Sequence, residues 1–404
     1  MTLDVALPAT QSDAFGRLRV SSTDTVFDSK MVSDDLTLFW DDAEVTGTGT
    51  TSTHNVNRAA VVMGVALNTA GLRRRQTFQR FNYQPGKSQL IMMTGVLLST
   101  GGGAGISASM GLFDDDDGIF ASSVDGAVQL TIRSNVTGTP VDTTVAQADW
   151  NGDKLDGSGV SGVTLDGTKA QILFIDFEWL GVGTVRVGFI VDGVYIVAHR
   201  FQHANIINSV YMSTPNLPLR YELENDGTGP ASELEHICCT VISEGGQASR
   251  AQLLAATTGG IGITPSNLAV AAAIGIRLKT SNLGKTVDIN NISVVNEGNT
   301  PGFEWRLYWN PTVAGTFTYA DVTNSAVQVA IGNAAGTNTL TGGTLVAAGV
   351  STGSKNAGVA ETDITSALRL GAAIDGTRDE IVLAVVPYGA QGELDAALNW
   401  SERT

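Results

Sequence analysis

The chain has 404 residues, with 24 Lys and Arg against 40 Asp and Glu, a formal charge of −16, and 47 glycines against 10 prolines. Its length exceeds what one hydrophobic core usually organises, so two domains with appendages are expected, and its charge opposes the basic surface that wrapping nucleic acid requires. The apolar runs 59–67 and 268–276 are too short to span a bilayer, which argues against membrane insertion, and a turn-rich composition with abundant Thr and Val favours short strands.

Residues 1–45 hold only scattered apolar positions, too few to bury a core, and read as an extended N-terminal arm. The opening M-T-L-D-V-A-L-P-A-T lacks the basic start and apolar stretch of an export signal, so synthesis in a reducing cytoplasm is expected. From 46 to 250, alternating apolar runs recur, among them A-A-V-V-M-G-V-A-L, S-Q-L-I-M-M-T-G-V-L, A-Q-I-L-F-I-D-F-E-W-L and V-Y-I-V-A-H-R-F. Asp-Gly pairs beginning at Asp117, Asp125, Asp166 and Asp192 supply turns between them. No helical period intervenes, so the spacing predicts an all-β fold, an antiparallel sandwich of jelly-roll or lectin-like type.

Several clusters in this region bear on chemistry. Arg73, Arg74 and Arg75, with Arg80 nearby, lie in an alternating aromatic run and read as a solvated or subunit-facing strand. Asp114–Asp117 read as a hairpin tip whose like charges stay in water: aligning Gly118 with the glycine of an EF-hand loop puts Phe113 and Val124 where the end ligands belong. A calcium site of another type is the alternative. The stretch 149–167 gathers Trp150, Asn151, Asp153, Asp156 and Asp166 among glycines. It is the candidate glycan- or calcium-binding loop, with Trp150 offering a ring to a sugar face; the competing reading has its acids forming turns and Trp150 buried.

Asp176 and Glu178 share one face of a strand, opposite Leu173, Ile175, Phe177 and Trp179. Paired carboxylates are the machinery of glycoside hydrolysis, but an exterior position is the plainer reading and no catalytic set is assigned. His199 and His203 have the spacing of two ligands on a helix, yet they sit in a strand pattern where that spacing loses its meaning. Cys238 and Cys239 are adjacent strand residues whose side chains point to opposite faces, which argues against a disulfide between them. Periodicity lapses near E-G-G-Q-A-S-R-A-Q-L-L-A-A-T-T-G-G-I, placing a boundary at about 250. Beyond it I-G-I-R-L-K, F-E-W-R-L-Y-W-N and E-I-V-L-A-V-V-P-Y predict a second, smaller β domain over 251–404, with Trp305 and Trp309 taken as exposed aromatics available to a glycan.

A set of motifs spread over most of the chain resembles a family of tailed-bacteriophage virion structural proteins: A-F-G-R-L-R-V-S and F-D-S-K near the start, Y-Q-P-G-K-S, Q-A-D-W-N followed by D-K-L-D-G-S-G-V-S-G-V-T-L-D, I-D-F-E-W-L-G-V-G-T-V-R-V-G-F, Y-M-S-T-P-N-L-P-L-R-Y-E, and W-N-P-T-V-A-G-T-F-T-Y. The resemblance implies a component of the virion, a tail, fibre or capsid-decorating protein, and carries no catalytic residues over. It implies that Phe15, Leu18, Val20 and Phe27 anchor the arm on other tail or capsid subunits, with Arg17 and Arg19 pairing to acidic neighbours. A homo-oligomer is expected, with a trimer favoured by analogy with other fibres and decorations. A host-surface glycan is a candidate partner, and hydrolysis by Asp176 and Glu178 is the remaining alternative.

Overall fold

The computed structural model describes residues 22–100, 102–246, 251–299, 301–352, 360–363, 369–389 and 392–403. The first sandwich closes two antiparallel sheets over one core. One sheet runs β13 (Val194–Phe201), β12 (Val185–Val191), β11 (Gln171–Phe177), β6 (Ser88–Thr100), β15 (Ser232–Glu244), β4 (Ala60–Val65), β3 (Thr50–Asn55), with β1 (Thr23–Lys30) also paired to β15. The other runs β10 (Val141–Ala146), β9 (Ala127–Ser134), β8 (Gly118–Val124), β7 (Ile106–Phe113), β14 (Leu219–Asn225), β5 (Gly71–Thr77), β2 (Trp40–Gly47). Strand alternation fills the core directly: Ile106, Ala108, Met110 and Leu112 of β7 face inward, as do Leu173, Ile175 and Phe177 of β11. Asp125-Gly126 and Asp192-Gly193 both take positive φ and join their strands as two-residue hairpins, β8 to β9 and β12 to β13.

β15 organises this sandwich. Its alternation of buried and half-buried residues slips once, at a bulge that leaves Ile237 without a partner on β6. Along the opposite edge, β4 takes Ser232–His236 and β1 takes Cys238–Glu244, end to end. Strand β1 and the start of β2, up to residue 45, fall inside the stretch expected to be an extended arm, which corrects that reading for these strand residues. Phe27 is corrected with it: it is 8% exposed and packs against Phe39, Trp40 and Phe81 at ring-centroid distances of 6.2, 6.4 and 5.1 Å. The apolar positions of this stretch are sparse in sequence, but Phe27, Met31 and Trp40 are buried in a core that distant segments complete. Phe15, Arg17, Leu18, Arg19 and Val20 lie outside the described residues.

The second sandwich follows the same logic. One sheet runs β16 (Gln252–Thr257), β27 (Leu394–Arg403), β18 (Thr286–Asn296), β25 (Ala360–Asp363); its partner runs β21 (Ala320–Asp321), β22 (Val327–Ile331), β17 (Ala271–Leu278), β26 (Glu380–Pro387), β19 (Gly302–Trp309), β24 (Thr344–Thr352). A short pair, β20 (Thr312–Val313) with β23 (Leu340–Thr341), lies beside them. Phe303, Trp305, Leu307 and Trp309 form the inward face of β19, so Trp305 and Trp309, at 3% and 4% exposure, belong to a second core and are not surface aromatics. This corrects their reading as glycan platforms.

The two sandwiches are joined by hydrogen bonds that each use at least one backbone group. Phe78 O accepts from Ala372 N at 3.1 Å, Asp41 Oδ2 from Ile374 N at 2.6 Å, and Gly284 O from Asn216 Nδ2 at 2.8 Å. Gly371 is required there, because a Cβ would lie 1.9 Å from Phe78 O. Behind the joint Asp379, 2% exposed, accepts from Asn310 Nδ2 at 2.8 Å and Gly371 N at 3.1 Å. Burial, with Asp41 nearby, pushes its carboxyl up to about 6 from 3.8. The folded chain therefore holds this proton more tightly than the unfolded chain, so the group's contribution is complete below pH 3.8 and lost as pH rises through about 6. Between pH 4 and pH 7, urea unfolding of the parent is expected to lose about 2 kcal/mol more than that of Asp379→Asn; equal losses in the two chains would refute this assignment.

Candidate functional site

After β10 the chain passes through a short 3-10 turn, Gln147–Asp149, and packs back along β13. Gly152 N and Asp153 N donate to Ala198 O and Val197 O at 2.9 and 3.0 Å, while the Asn151 amide bonds both Arg200 N and Arg200 O, at 2.8 and 2.9 Å. Trp150 between them is 2% exposed, stacks on Phe189 at 6.4 Å and donates Nε1–H to Val145 O at 3.2 Å. It is a core residue, which corrects its reading as a sugar platform: an indole this large next to a sheet end gains more from burial than from water.

The loop's carboxylates hold the loop itself. Asp153 accepts from Leu155 N at 2.9 Å and Ser161 N at 2.7 Å, and these backbone bonds keep its carboxyl below the usual range. Asp156 accepts from Ser158 N and Oγ, at 2.9 and 2.5 Å, and Asp166 from Thr168 N and Oγ1, at 2.9 and 2.6 Å; both are lowered by these bonds, the hydroxyl first. Among the described residues no group of three or more His, Cys, Asp or Glu is arranged to hold a metal ion.

Asp156 and Asp166 nevertheless line a cleft at this end of the first sandwich, about 820 Å³ in volume. Its apolar wall comes from Leu98, Val128 and Leu165, and Ser123, Gln147, Thr164 and Thr168 add hydroxyls and an amide. Five separate segments meet here: the end of β6, the glycine turn at 102–103, the β8–β9 hairpin, Ala146–Ala148, and the loop. The volume lies within the range of small-ligand sites. Each of the two aspartates uses Oδ1 for its own turn, which leaves Oδ2 to accept from a ligand hydroxyl. The arrangement suits a neutral, hydroxyl-rich molecule with one apolar face.

A second polar surface covers the outward side of β5, β14, β7, β8 and β9. Arg74 pairs with Glu222 at 2.7 Å and Asp115 at 3.0 Å; Arg220 reaches Asp115 at 2.7 Å; Arg133 takes Asp142 at 2.8 Å; and Arg80 binds Asp114. Arg220 and Arg133 lie over the rings of Phe113 and Phe120, which are 4.5 Å apart. The acidic tip is corrected accordingly: Asp114 and Asp117 are 7% and 0% exposed, and Asp117 accepts from Ser213 N at 2.7 Å, Ser213 Oγ and Asn135 N at 3.2 Å. The arginine run is corrected too, since Arg75 points into the core and Arg74 outward into this lattice.

The remaining candidates do not converge. Asp176 is paired with Arg186; burial pushes its carboxyl up. Glu178, exposed beyond the end of β11, reaches Thr184 N at 3.5 Å. His199 Nδ1 accepts from Asn151 N at 3.2 Å, whereas His203 donates Nδ1–H to Gly183 O at 2.7 Å and stacks on Tyr211 at 4.2 Å. The two imidazoles therefore serve different partners. Cys238 and Cys239 are both free thiols.

No family model matches the chain, and no curated protein matches it. Among solved structures the chain is similar to endo-1,3-beta-glucanase from Streptomyces sioyaensis, at 10% identity and a TM-score of 0.38 over 60% of this chain and 100% of that one. It is similar to the Emp47p carbohydrate recognition domain, at 11% identity and a TM-score of 0.36 over 58% and 99%, and to the CBM2 module of the evolved Dit of Lactobacillus casei BL23 phage J-1, at 7% identity and a TM-score of 0.37 over 57% and 100%. Scores this low transfer neither substrate nor activity.

Because Trp150 packs on Phe189 and seals the base of the loop, Trp150→Ala is expected to destabilise the chain by about 3–5 kcal/mol in denaturant unfolding. An unchanged midpoint would show that the ring is not part of the core.

Proposed function

We propose that this chain is a non-enzymatic structural subunit of a bacteriophage particle that holds a host-surface glycan in the cleft at the loop end of its first sandwich. The observation that carries the glycan reading is the cleft itself: two aspartates kept ionised by their turns, an amide and hydroxyls, set around an apolar wall of Leu98, Val128 and Leu165. A pyranose presents the complement, hydroxyls at its rim and C–H groups on its faces. The particle reading is supported by the motif set that resembles phage virion proteins. In it the two sandwiches are the domains of the subunit, and residues 1–21, with Phe15, Arg17, Leu18, Arg19 and Val20, dock it onto tail or capsid subunits as a homo-oligomer, a trimer by analogy.

Two experiments test the halves separately. On an array of bacterial polysaccharides the purified chain is expected to give saturable binding that Ala127→Trp and Ala148→Trp, which fill the cleft from exposed positions, each weaken at least tenfold; binding indifferent to both, or no binding, would remove the cleft reading. Deletion of residues 1–21, which keeps β1 whole from Thr23, is expected to abolish recovery of the subunit in purified particles while the purified chain still unfolds cooperatively. Normal incorporation would refute the docking role.

A further inference from the structure

The outward face of the second sandwich carries an assembled pocket that the reading above does not use. β17 presents Gly275 and Arg277 on this face, with Gln328 of β22 and Glu380 of β26 in register on either side of Arg277. Arg277 donates Nε–H to Gln328 Oε1 at 3.0 Å and pairs with Glu380 Oε1 at 2.9 Å. The segment after β20 folds over this row and lays Phe317 and Tyr319 on it, rings T-shaped at 5.7 Å. The Arg277 guanidinium sits 4.1 Å from the Tyr319 ring centre, and the Tyr319 hydroxyl donates to Glu380 Oε2 at 3.1 Å.

The pocket is held in shape from both sides. Asn338, fully buried, donates Nδ2–H to Ala314 O at 2.9 Å and Thr316 O at 3.1 Å, and β21 pairs with β22 just beyond Tyr319. Gly275 provides the room: a Cβ there would lie 2.6 Å from both Phe317 Cε1 and Tyr319 Oη. Burial pushes the Tyr319 phenol far above its usual range, so it stays a donor at any ordinary pH. The resulting cavity, about 400 Å³, is bounded by Phe317, Thr318, Tyr319, Arg277 and Glu380.

We propose that this pocket is a second glycan subsite, taking one neutral hexopyranose whose C–H face packs on the half-exposed Phe317 ring and whose adjacent hydroxyls bridge Glu380 and Arg277. Arg277, the one cation among the described residues lining the pocket, is paired with Glu380, and Arg378 beside it is engaged by Leu278 O and Gln328 Oε1, so a carboxylate or sulfate would have to compete with these bonds. The ring and the fixed ion pair decide for a sugar, because an apolar face flanked by a fixed donor and acceptor is what a pyranose presents in complement. Pre-organisation by Asn338 and Gly275 lowers the ordering cost of binding. The inference shares its ligand class with the proposed function but not its location, and the variants separate the two.

The test uses the full chain with its first cleft filled, Ala127→Trp, on arrays of neutral hexose oligosaccharides and of sialylated and sulfated ones, followed by titration calorimetry with the best neutral binder. Binding to at least one neutral oligosaccharide is expected to persist in Ala127→Trp and to weaken at least tenfold when Phe317→Ala or Thr318→Arg is added. Thr318 is exposed, so Thr318→Arg fills the pocket without touching the core if Phe317→Ala disturbs folding. Loss of all binding in Ala127→Trp, selection of only the anionic glycans, or binding unaffected by both added substitutions would each overturn the second subsite. Equal binding by the parent and Ala127→Trp, with loss on Thr318→Arg, would overturn the first cleft and leave this one standing.

Discussion

Arg75 is a cation with 1% of its surface exposed, inside the core of the first sandwich. Removing a charge from water is tolerated only where partners replace the lost hydration, and its partners come from three directions. Asp42 of β2 pairs with it at 3.0 Å, Asp35 O accepts from it, and His236 Nδ1 of β15 accepts Nε–H at 3.2 Å. The Trp40 ring lies 5.6 Å from its guanidinium. Burial is the main influence holding its pKa below the usual arginine value, and Asp42 opposes that shift.

That requirement propagates. His236 is fully buried and stacked on Tyr221 at 4.1 Å, with its pKa driven well below the ordinary range by burial and then by Arg75. It is therefore neutral and able to accept from the guanidinium. Tyr221 crosses the sandwich to bond Thr94 O at 3.1 Å, while Trp40 bonds Ser29 Oγ at 3.3 Å and Ser29 contacts Cys239 Sγ at 3.1 Å. These groups find their partners only when β1, β2, β5, β6, β14 and β15 are all in place. A polar knot of this kind favours one register over its neighbours, because a slip by one residue would leave a buried cation alone.

Much of the architecture is legible in the sequence because strand alternation is local. β7, β11 and β19 show their inward faces residue by residue, and the Asp125-Gly126 and Asp192-Gly193 turns follow from two residues each. Trp305 and Trp309 share the inward parity of Phe303 and Leu307, so their burial was open to the same reasoning. Asp117-Gly118 and Asp166-Gly167 look the same in sequence and behave differently: Asp117 is drawn inward by Ser213, ninety-odd residues away, and Asp166 caps its own loop. What is not legible is what distant segments supply to one another. Phe27 looked free because its companions Trp40 and Phe81 come from other segments of the chain. The end cleft has no motif because five segments meet there, and the Arg277 pocket depends on a register between β17, β22 and β26.

The placement of β1 has a mechanical consequence. Thr23, at its start, lies opposite Glu244, at the end of β15, and Gly245 N reaches back to Ser22 O at 3.1 Å. Tension between residue 22 and the connection to the second sandwich would therefore act across neighbouring ends of an antiparallel pair, opening it like a zipper, one rung at a time from that end. A load passing instead from residue 22 to the far side of the first sandwich would have to shear the whole ladder at once, so the direction of pull, more than its size, decides when this strand peels away.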